Sequence, residues 1–281
     1  MEKLLDEIES YWSTRTEGYS EVNHKELAGT QKNAWLKVLT SQFPDKPKEE
    51  IRILDIGTGP GFFPVILAEA GYHVDAVDYT EGMLEKAKEY AGELCRNIRF
   101  QRMDAQKLEF ADNTFDVVIS RNLTWNLEHP DVAYREWVRV LKAGGKLLNF
   151  DANWYGYLYE EEQRKAYEND RKNVENNSLD DHYLCTDIER MERIALQVPL
   201  SKIRRPEWDV KTLREAGLLG IHTDTEIWKT VWSEEERLNY QSTPMFMVTG
   251  VKPDHFLNLP VVEGEKTEGF LEIGDGEFTL P

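Results

Sequence analysis

Runs of strand length alternate with helical periodicity through the middle of the chain. The strand-like runs lie at 51–56, 72–78, 97–103, 114–120 and 146–150. Segments with apolar residues every three or four positions lie between them, at 62–70, 80–92 and 131–141. Strands and helices that alternate through short links predict right-handed βαβ units, and therefore a doubly wound, mostly parallel α/β sheet.

The pattern changes on both sides of this core. Residues 1–43 have helical spacing with a predicted break near Glu17 and Gly18, and a cap-like insertion follows the fifth strand. Runs at 221–228 and 246–251 predict a last, antiparallel pair that brings the sheet to seven strands. We divide the chain into an N-terminal helical segment (1–46), a core (47–150), a helical cap insertion (151–206), the completion of the core sheet (207–254) and a C-terminal tail (255–281).

Charge and composition exclude several classes of partner. The 281 residues carry a formal net charge of −18, which repels nucleic acid; the acid excess serves solubility or favours cationic and amine substrates. No apolar run approaches the roughly 20 residues of a membrane span, so we expect a cytoplasmic protein. Cys95 and Cys185 form no CxxC pair and are expected to be reduced thiols, and no residue spacing indicates a metal site.

The segment LDIGTGPGF, residues 54–62, joins the first strand to the first core helix. Its glycines permit a sharp turn and the close approach of a ligand, and the helix directs free N–H groups toward the turn. The spacing G-x-G-x-G differs from the G-x-G-x-x-G fingerprint of dinucleotide sites. Asp55, two residues before the first glycine, would repel a pyrophosphate and suits an ammonium group. The turn therefore favours an amino-acid nucleoside over NAD.

Two more carboxylates follow successive strands. Asp78 ends the second strand, 21 residues after Gly57, a spacing at which an acid accepts hydrogen bonds from two ribose hydroxyls. Asp104 follows the third strand, where it is placed to accept a hydrogen bond from an adenine amino group. Parallel sheets bind ligands at the carboxyl ends of their strands, so these side chains are expected to share one site.

Five segments in this order and spacing resemble the class I S-adenosylmethionine-dependent methyltransferases: LDIGTGPG, VDYTEGML, MDAQKLEF, FDVVISRN and LKAGGKL. The resemblance covers residues 51–150 and is greatest to the small-molecule group similar to ubiquinone and menaquinone biosynthesis methyltransferases. It implies a Rossmann-like fold, S-adenosylmethionine as cofactor, S-adenosylhomocysteine as product, and direct transfer of a methyl group to a small-molecule acceptor. The cofactor-binding residues predicted are Asp55 and Gly57 (methionine end), Asp78 (ribose), Asp104 with Ala105 (adenine), Tyr79 and Met83 (ribose or adenine), and also Thr58, Gly59 and Arg121.

The resemblance also bears on the N-terminal segment, since in that group an aromatic N-terminal segment folds over the cofactor. Tyr11 and Arg15 are therefore predicted to contact the cofactor, Arg15 through the cofactor's carboxylate, and Tyr19 is a catalytic candidate. The competing interpretation is that the aromatic residues here serve ordinary packing.

The acceptor is expected beyond the fourth strand and in the insertion. Asn122 and Trp125 are predicted to position it, and His129 is a candidate base or else a solvated helix cap. Trp154 and Tyr157 are predicted to line its cavity, or to pack the insertion onto the sheet. In the resembled class, [DN]-P-P-[YFW] marks many enzymes that methylate nitrogen in nucleic acid and protein, and its absence after the fourth strand argues against those substrates.

Three other functions stay open. One is a different alkyl transfer or a decarboxylation with the same cofactor, and another is a non-catalytic S-adenosylmethionine-binding protein with a regulatory or partner-binding role. An NAD-dependent dehydrogenase is the third, and Asp55 and the glycine spacing count against it. A monomer and a homodimer are both compatible with the sequence.

Overall fold

A seven-stranded sheet with helices on both faces forms the centre of the protein. The computed structural model describes residues 4–182 and 186–254, so the predicted tail 255–281 and Cys185 lie outside the described residues. The strands are β1 Arg52–Ile56, β2 His73–Asp78, β3 Ile98–Arg102, β4 Phe115–Arg121, β5 Leu141–Asp151, β6 Leu219–Asp224 and β7 Phe246–Val251. The helices are α1 Leu4–Ala28, α2 Gln31–Thr40, α3 Phe62–Glu69, α4 Glu81–Ala91, α5 Pro130–Val140, α6 Glu161–Asn176, α7 Ile188–Ala195, α8 Glu207–Glu215, α9 Trp228–Val231 and α10 Glu234–Asn239.

The strand order is β3-β2-β1-β4-β5-β7-β6. Strands β3, β2, β1, β4 and β5 pair in parallel, and β7 pairs antiparallel with both β5 and β6. The predicted doubly wound, mostly parallel sheet and its antiparallel last pair are therefore confirmed. Strand β1 is flanked by β2 and β4, so the direction of winding reverses there and opens a crevice at the carboxyl ends of the strands.

The strands supply two hydrophobic cores, one on each face of the sheet. In β4, Val118 packs with the side chains of α5 and α8, whereas its neighbours Val117 and Ile119 pack with those of α2 and α3. All three are fully buried, as expected for a parallel strand covered by helices on both faces. This arrangement leaves only the ends of the strands free to hold a ligand.

The predicted break in the N-terminal segment is wrong. Helix α1 runs without interruption through Glu17 and Gly18 and ends at Ala28. A glycine inside a helix costs about 1 kcal/mol, and the buried side chains on both sides of it, such as Tyr11 and Asn23, offset that cost by packing. The chain turns only at residues 29–30, before α2.

Two other boundaries differ from the predictions. The run at 221–228 is not one strand: β6 ends at Asp224 and Trp228 begins α9, and α10 was not predicted. Strand β5 begins at Leu141, not at Lys146, because the residues between them form an irregularity in its pairing with β4. Apolar residues in short helices and short strands have similar spacing, so periodicity does not separate them.

The insertion and α1 pack together above the carboxyl edge of the sheet. Ile8 and Tyr11 of α1 share a hydrophobic cluster with Met191 and Ile194 of α7, and Trp125, which follows β4, joins the same cluster. The insertion is helical as predicted, with α6 and α7 as its main elements. The crevice at the strand ends is thus covered by two helical segments that are distant from each other in sequence.

Candidate functional site

The glycine turn after β1 has the backbone geometry that glycine permits. Gly57, Gly59 and Gly61 have φ angles of +70°, +53° and +89°. A Cβ atom at Gly57 would lie 2.8 Å from Cδ2 of Leu123, so a side chain there would collide with a neighbour. The N–H groups of Gly57 and of the next residue donate to the carbonyl of Val77 at 2.8 and 3.0 Å, which fixes the turn against β2.

Asp78, at the end of β2, joins this turn to the start of α4. Its Oδ2 accepts a hydrogen bond from the N–H of Gly59, and its Oδ1 accepts one from the N–H of Thr80, both at 2.8 Å. Burial raises the pKa of the Asp78 carboxyl above its usual range, although these donors act in the opposite direction. The carboxyl group is therefore fixed in position and held at the edge of the crevice.

Asp55 is the most strongly perturbed acid beside the turn. Its side chain is 2% exposed, and burial raises its pKa from 3.8 to about 7. The nearby charge of Asp78 raises it further, whereas Arg121 lowers it. A cationic ligand group beside Asp55 would restore the charged form of this carboxyl, so the position is suited to an ammonium group.

A cavity of about 820 Å³, called the glycine cleft here, opens beside the turn. Helix α1 covers it through residues that include Ile8, Trp12 and Tyr19. The sequence-predicted residues that line it are Gly57, Gly59, Asp78, Tyr79, Met83, Asp104, Ala105, Arg121 and Asn122. Asp55 and Thr58 line a smaller cavity of about 280 Å³, which shares Gly57 and Gly59 with the cleft. The structure thus brings most of the residues predicted to bind the cofactor to one place, whereas Tyr11 and Arg15, which were also predicted to bind it, line neither of these two cavities.

A second cavity of about 960 Å³, called the aromatic cavity here, lies between α1 and the insertion. It shares Trp12, Tyr19, Arg121 and Asn122 with the glycine cleft, so the two cavities adjoin. Its aromatic lining residues are Tyr11, Trp12, Tyr19, Trp125, Trp154, Tyr155, Trp232 and Tyr240. Arg15 lines this cavity and not the glycine cleft.

Two predicted residues lie away from all three cavities. The side chain of His129 is 61% exposed at the start of α5, and its Nε2 lies 3.7 Å from Oε1 of Glu128. Its backbone N–H donates to Oε1 of Gln106 at 2.6 Å. The ring of Tyr157 stacks on Tyr167 with centroids 4.1 Å apart, and its hydroxyl donates to Glu192 at 2.8 Å. Tyr19, by contrast, lines all three cavities, and burial raises its pKa.

Arg121, at the end of β4, holds α1 in place. Its guanidinium makes two bonds to the carboxylate of Glu26, at 2.9 and 3.0 Å, and lies over the ring of Phe62 at 4.7 Å. Both partners are nearly buried, with 12% and 7% of their side chains exposed. The covering helix is therefore tied to the sheet by a buried ion pair whose acid, Glu26, lies on α1.

Comparisons with known proteins identify the core. Residues 54–149 match the protein family described as "Methyltransferase domain". A demethylmenaquinone methyltransferase from Renibacterium salmoninarum is 32% identical over 148 residues, which are 53% of this chain and 60% of that protein. A ubiquinone biosynthesis O-methyltransferase from Coxiella burnetii is 30% identical over 126 residues, 44% of this chain and 53% of that one. Over residues 54–149 this chain is therefore similar to class I S-adenosylmethionine-dependent methyltransferases. The chain thus spans little more than half the length of these relatives.

Solved structures support the fold of this methyltransferase domain. Phosphoethanolamine N-methyltransferase 2 of Haemonchus contortus, solved with phosphomonomethylethanolamine and S-adenosylhomocysteine, superposes with a TM-score of 0.60 at 18% identity. The match covers 90% of this chain and 61% of that one. Within residues 4–182 and 186–254, no helix has the length and hydrophobicity of a membrane span, and no cluster of side chains is suited to hold a metal ion.

Two polar atoms of the glycine cleft are buried and lack hydrogen-bond partners within the described part of the chain. They are Oδ1 of Asn122 and Nδ2 of Asn126. The other side-chain atom of Asn126, Oδ1, accepts a hydrogen bond from Nε1 of Trp12 at 2.7 Å. Trp12 and Asn126 were not predicted as site residues, because a helix and a loop 114 positions apart show no common pattern in the sequence.

A buried acid positions two tryptophans of the aromatic cavity. Oδ2 of Asp151 accepts from the backbone N–H of Trp125 at 3.0 Å, and its Oδ1 accepts from Nε1 of Trp154 at 3.2 Å. Arg205 bonds to Asp151 at 2.6 Å and also to Asp209, and all three side chains of this cluster are fully buried. The wall of the cavity is thus fixed by charged hydrogen bonds behind it.

A histidine in the insertion reaches the same cavity. Nε2 of His182 lies 3.0 Å from Oε1 of Glu235, and Nδ1 lies 3.0 Å from the hydroxyl of Tyr240. His182 and Tyr240 both line the aromatic cavity. An ionised carboxylate only accepts hydrogen bonds, so in the neutral imidazole the proton lies on Nε2 and Nδ1 is left to accept from the tyrosine hydroxyl.

Proposed function

We propose that this protein transfers the methyl group of S-adenosylmethionine to a small-molecule acceptor held in the aromatic cavity. The observation that carries the proposal is the junction of two cavities. One is lined by the glycine turn and acids of the methyltransferase domain, the other by aromatic side chains, and Tyr19 and Asn122 line both. A donor in the first and an acceptor in the second would meet at that junction.

The residues of the glycine cleft fit the parts of this cofactor. Asp78 is placed to accept hydrogen bonds from the ribose hydroxyls, and Asp104 and Ala105 lie where the adenine would bind. The buried, unpartnered atoms of the cleft match the methionine end: Oδ1 of Asn122 can accept from an ammonium group, and Nδ2 of Asn126 can donate to a carboxylate. A ligand with both an ammonium and a carboxylate group satisfies both kinds of atom.

The cofactor, when bound, supplies a methyl group that is already activated by the positive sulfur. The protein therefore has to align the acceptor with that carbon and to exclude water. Helix α1 and the insertion cover the junction, and Arg121 with Glu26 holds α1 closed over it. A pocket closed by helices and lined by aromatic rings suits a small acceptor better than a polymer.

A proton must leave when the acceptor is a hydroxyl or an ammonium group. In the proposed step, the oxygen of Tyr240 takes the acceptor's proton as its own proton passes to Nδ1 of His182. The carboxylate of Glu235 holds the other ring nitrogen and stabilises the imidazolium that forms. His129, exposed and outside the cavities, is not placed for this step.

The donor half of the proposal is tested by calorimetry with S-adenosylmethionine. We expect binding to the wild-type protein and a loss of at least about hundredfold in affinity for Asp78→Ala, because two hydrogen bonds to a charged group disappear. Asp75→Ala is the matched control, since Asp75 lies on the same strand but pairs with Arg52 outside the cleft. An unchanged affinity in Asp78→Ala would refute the ribose assignment.

The transfer itself is tested by mass spectrometry. The protein is incubated with S-adenosylmethionine that carries a deuterated methyl group and with a low-molecular-weight extract of cells. We expect a product that has gained the deuterated methyl group, together with S-adenosylhomocysteine, and neither with Asp78→Ala. Tight binding of S-adenosylmethionine without any labelled product would contradict methyl transfer and support a non-catalytic binding protein.

A further inference from the structure

Arg15 of α1 is a half-buried cation in the wall of the aromatic cavity. Within the described part of the chain, no acidic side chain forms an ion pair with it. The two more deeply buried arginines near this site do have such partners: Arg121 has Glu26, and Arg205 has Asp151 and Asp209. In a chain with 52 acidic residues, an unpaired arginine that faces a cavity requires an explanation.

The other charged residues that line the cavity each have a hydrogen-bond or ion-pair partner. Arg121 and Glu26 neutralise each other through their two-bonded pair. Glu236 is the other acid in the lining, and its Oε2 accepts from Ser233 and from Nε2 of Gln31 at 2.6 Å. Burial raises the pKa of Glu236, whereas its hydrogen bonds with Ser233 and the charge of Arg121 act in the opposite direction. Arg121, Glu26 and Glu236 are thus each engaged by a partner, and Arg15 is the charged residue of the lining for which the described part of the chain offers none.

The walls beside Arg15 are suited to a flat apolar group. Trp125 and Tyr155 stack with centroids 5.1 Å apart, and Trp154 meets Tyr240 edge to face at 5.3 Å. Asp151 fixes the positions of both tryptophans, so the walls are preorganised. Aromatic walls of this kind bind planar rings by stacking and edge contacts.

We propose that the acceptor is an aromatic compound with an anionic group, a carboxylate or a phosphate, and that Arg15 binds this group. The proposal rests on the proposed function and names the class of its substrate. Arg15 lies four residues, about one helical turn, before Tyr19 on α1, and Tyr19 lies at the junction with the glycine cleft. When the anionic group is bound at Arg15, the aromatic ring of the acceptor can therefore extend along the cavity toward that junction. The alternative from the sequence, that Arg15 binds the carboxylate of the cofactor, is separated by the experiment below.

The test uses binding of three probes of similar size: 4-hydroxybenzoate (anionic), 4-hydroxybenzamide (neutral) and tyramine (cationic). The full-length protein is first saturated with S-adenosylhomocysteine, so that the probes do not enter the glycine cleft, and binding is followed by tryptophan fluorescence. We expect 4-hydroxybenzoate to bind at least about tenfold more tightly than the amide, as for a hydrogen bond to a charged group. Tyramine should bind most weakly.

Two variants assign the preference to one side chain. Arg15→Gln should reduce the preference for the anion to less than about twofold, and it should leave the affinity for S-adenosylmethionine unchanged. Lys25→Gln is the matched control, because it removes one positive charge from an exposed position on the same helix and should keep the preference.

Each other result overturns the proposal in a distinct way. Equal binding of the acid and the amide, or no binding of any probe, shows that Arg15 selects no aromatic anion. Tighter binding of tyramine shows a cavity for cations instead. A loss of S-adenosylmethionine affinity in Arg15→Gln assigns the arginine to the cofactor, whereas a wild-type protein that binds no S-adenosylmethionine fails the proposed function itself.

Discussion

Replacing Asp55 by asparagine should stabilise the protein in the absence of ligands. The carboxyl group is 2% exposed, and its pKa in the folded protein is about 7, against an ordinary value of 3.8. Between these two pH values the folded protein retains a proton that the unfolded chain has lost. The stability contributed by Asp55 therefore falls as the pH rises from about 4 to about 7, and it stays low above pH 7.

The magnitude follows from the difference between the two pKa values. A difference of about three pKa units corresponds to at most about 4 kcal/mol of unfolding free energy. Asparagine has a similar shape and no charge at any of these pH values. The Asp55→Asn protein should therefore be more stable than the wild type by roughly 2–4 kcal/mol at pH 8, and the gap should shrink toward pH 5.

Urea unfolding of the ligand-free proteins at pH 5 and pH 8 measures this gap. The difference in unfolding free energy between the variant and the wild type contains the contribution of Asp55, because the other groups that titrate in this range contribute equally to both proteins. Asp75→Asn serves as control, since Asp75 lies on β2 and forms an ion pair with the half-exposed Arg52, and the loss of this pair should not stabilise the protein. A gap that does not widen between pH 5 and pH 8, or a less stable Asp55→Asn protein at pH 8, would refute the reasoning.

The same carboxyl links the pH to cofactor binding. If Asp55 pairs with the ammonium group of S-adenosylmethionine, the wild-type protein must first lose the Asp55 proton. With a pKa of about 7 in the ligand-free protein, its affinity should be roughly eightfold higher at pH 7.5 than at pH 6. The affinity of Asp55→Asn should be lower and nearly independent of pH over this interval, and identical profiles for the two proteins would contradict the ammonium assignment.

Three further substitutions test other parts of the site. Gly57→Ala should cost about 1–2 kcal/mol of stability and weaken S-adenosylmethionine binding, because φ at this residue is +70° and the added Cβ would collide with a leucine. Gly71→Ala is the control: φ at Gly71 is +92°, but its Cβ would meet no other atom, so binding should be unchanged. Glu26→Ala should destabilise the protein by about 3–5 kcal/mol in urea unfolding, because Arg121 stays buried and unpaired, and a loss below 1 kcal/mol would contradict this. His182→Gln should lower kcat at least about tenfold with the acceptor found by mass spectrometry, and it should leave the affinity for S-adenosylmethionine unchanged. An unaltered kcat would exclude the proposed proton transfer from Tyr240 to His182.

The positions of the acids at the glycine cleft could be predicted because local rules decide them. Asp55, Asp78 and Asp104 stand at or just after the ends of strands that pair in parallel, and parallel strands end at one edge of the sheet. The spacing of the glycine turn then brings a ligand to that edge. Neither inference required knowledge of how distant segments pack.

The acceptor side depends on contacts between distant segments. His182 meets Glu235 and Tyr240 across 53 and 58 positions, and no spacing in the sequence connects them. Tyr157, in an aromatic run that predicted a cavity wall, packs on Tyr167 instead, since aromatic residues that line a pocket and those that fill a core have the same pattern. His129 was a candidate base because it follows β4 closely in the sequence. Its side chain, at the start of α5, points into solvent instead.

The sequence by itself determined the doubly wound sheet, the glycine turn and the acids at the carboxyl ends of the strands, because strand periodicity, glycine conformation and parallel pairing are local or follow from chain order. Only the tertiary structure decided that α1 is one unbroken helix, that its Arg15 belongs to the aromatic cavity, and that this cavity adjoins the glycine cleft at Tyr19. Those features depend on the burial of apolar side chains between α1, the insertion and the sheet. Such packing is a property of surfaces in three dimensions, and a one-dimensional pattern does not specify it.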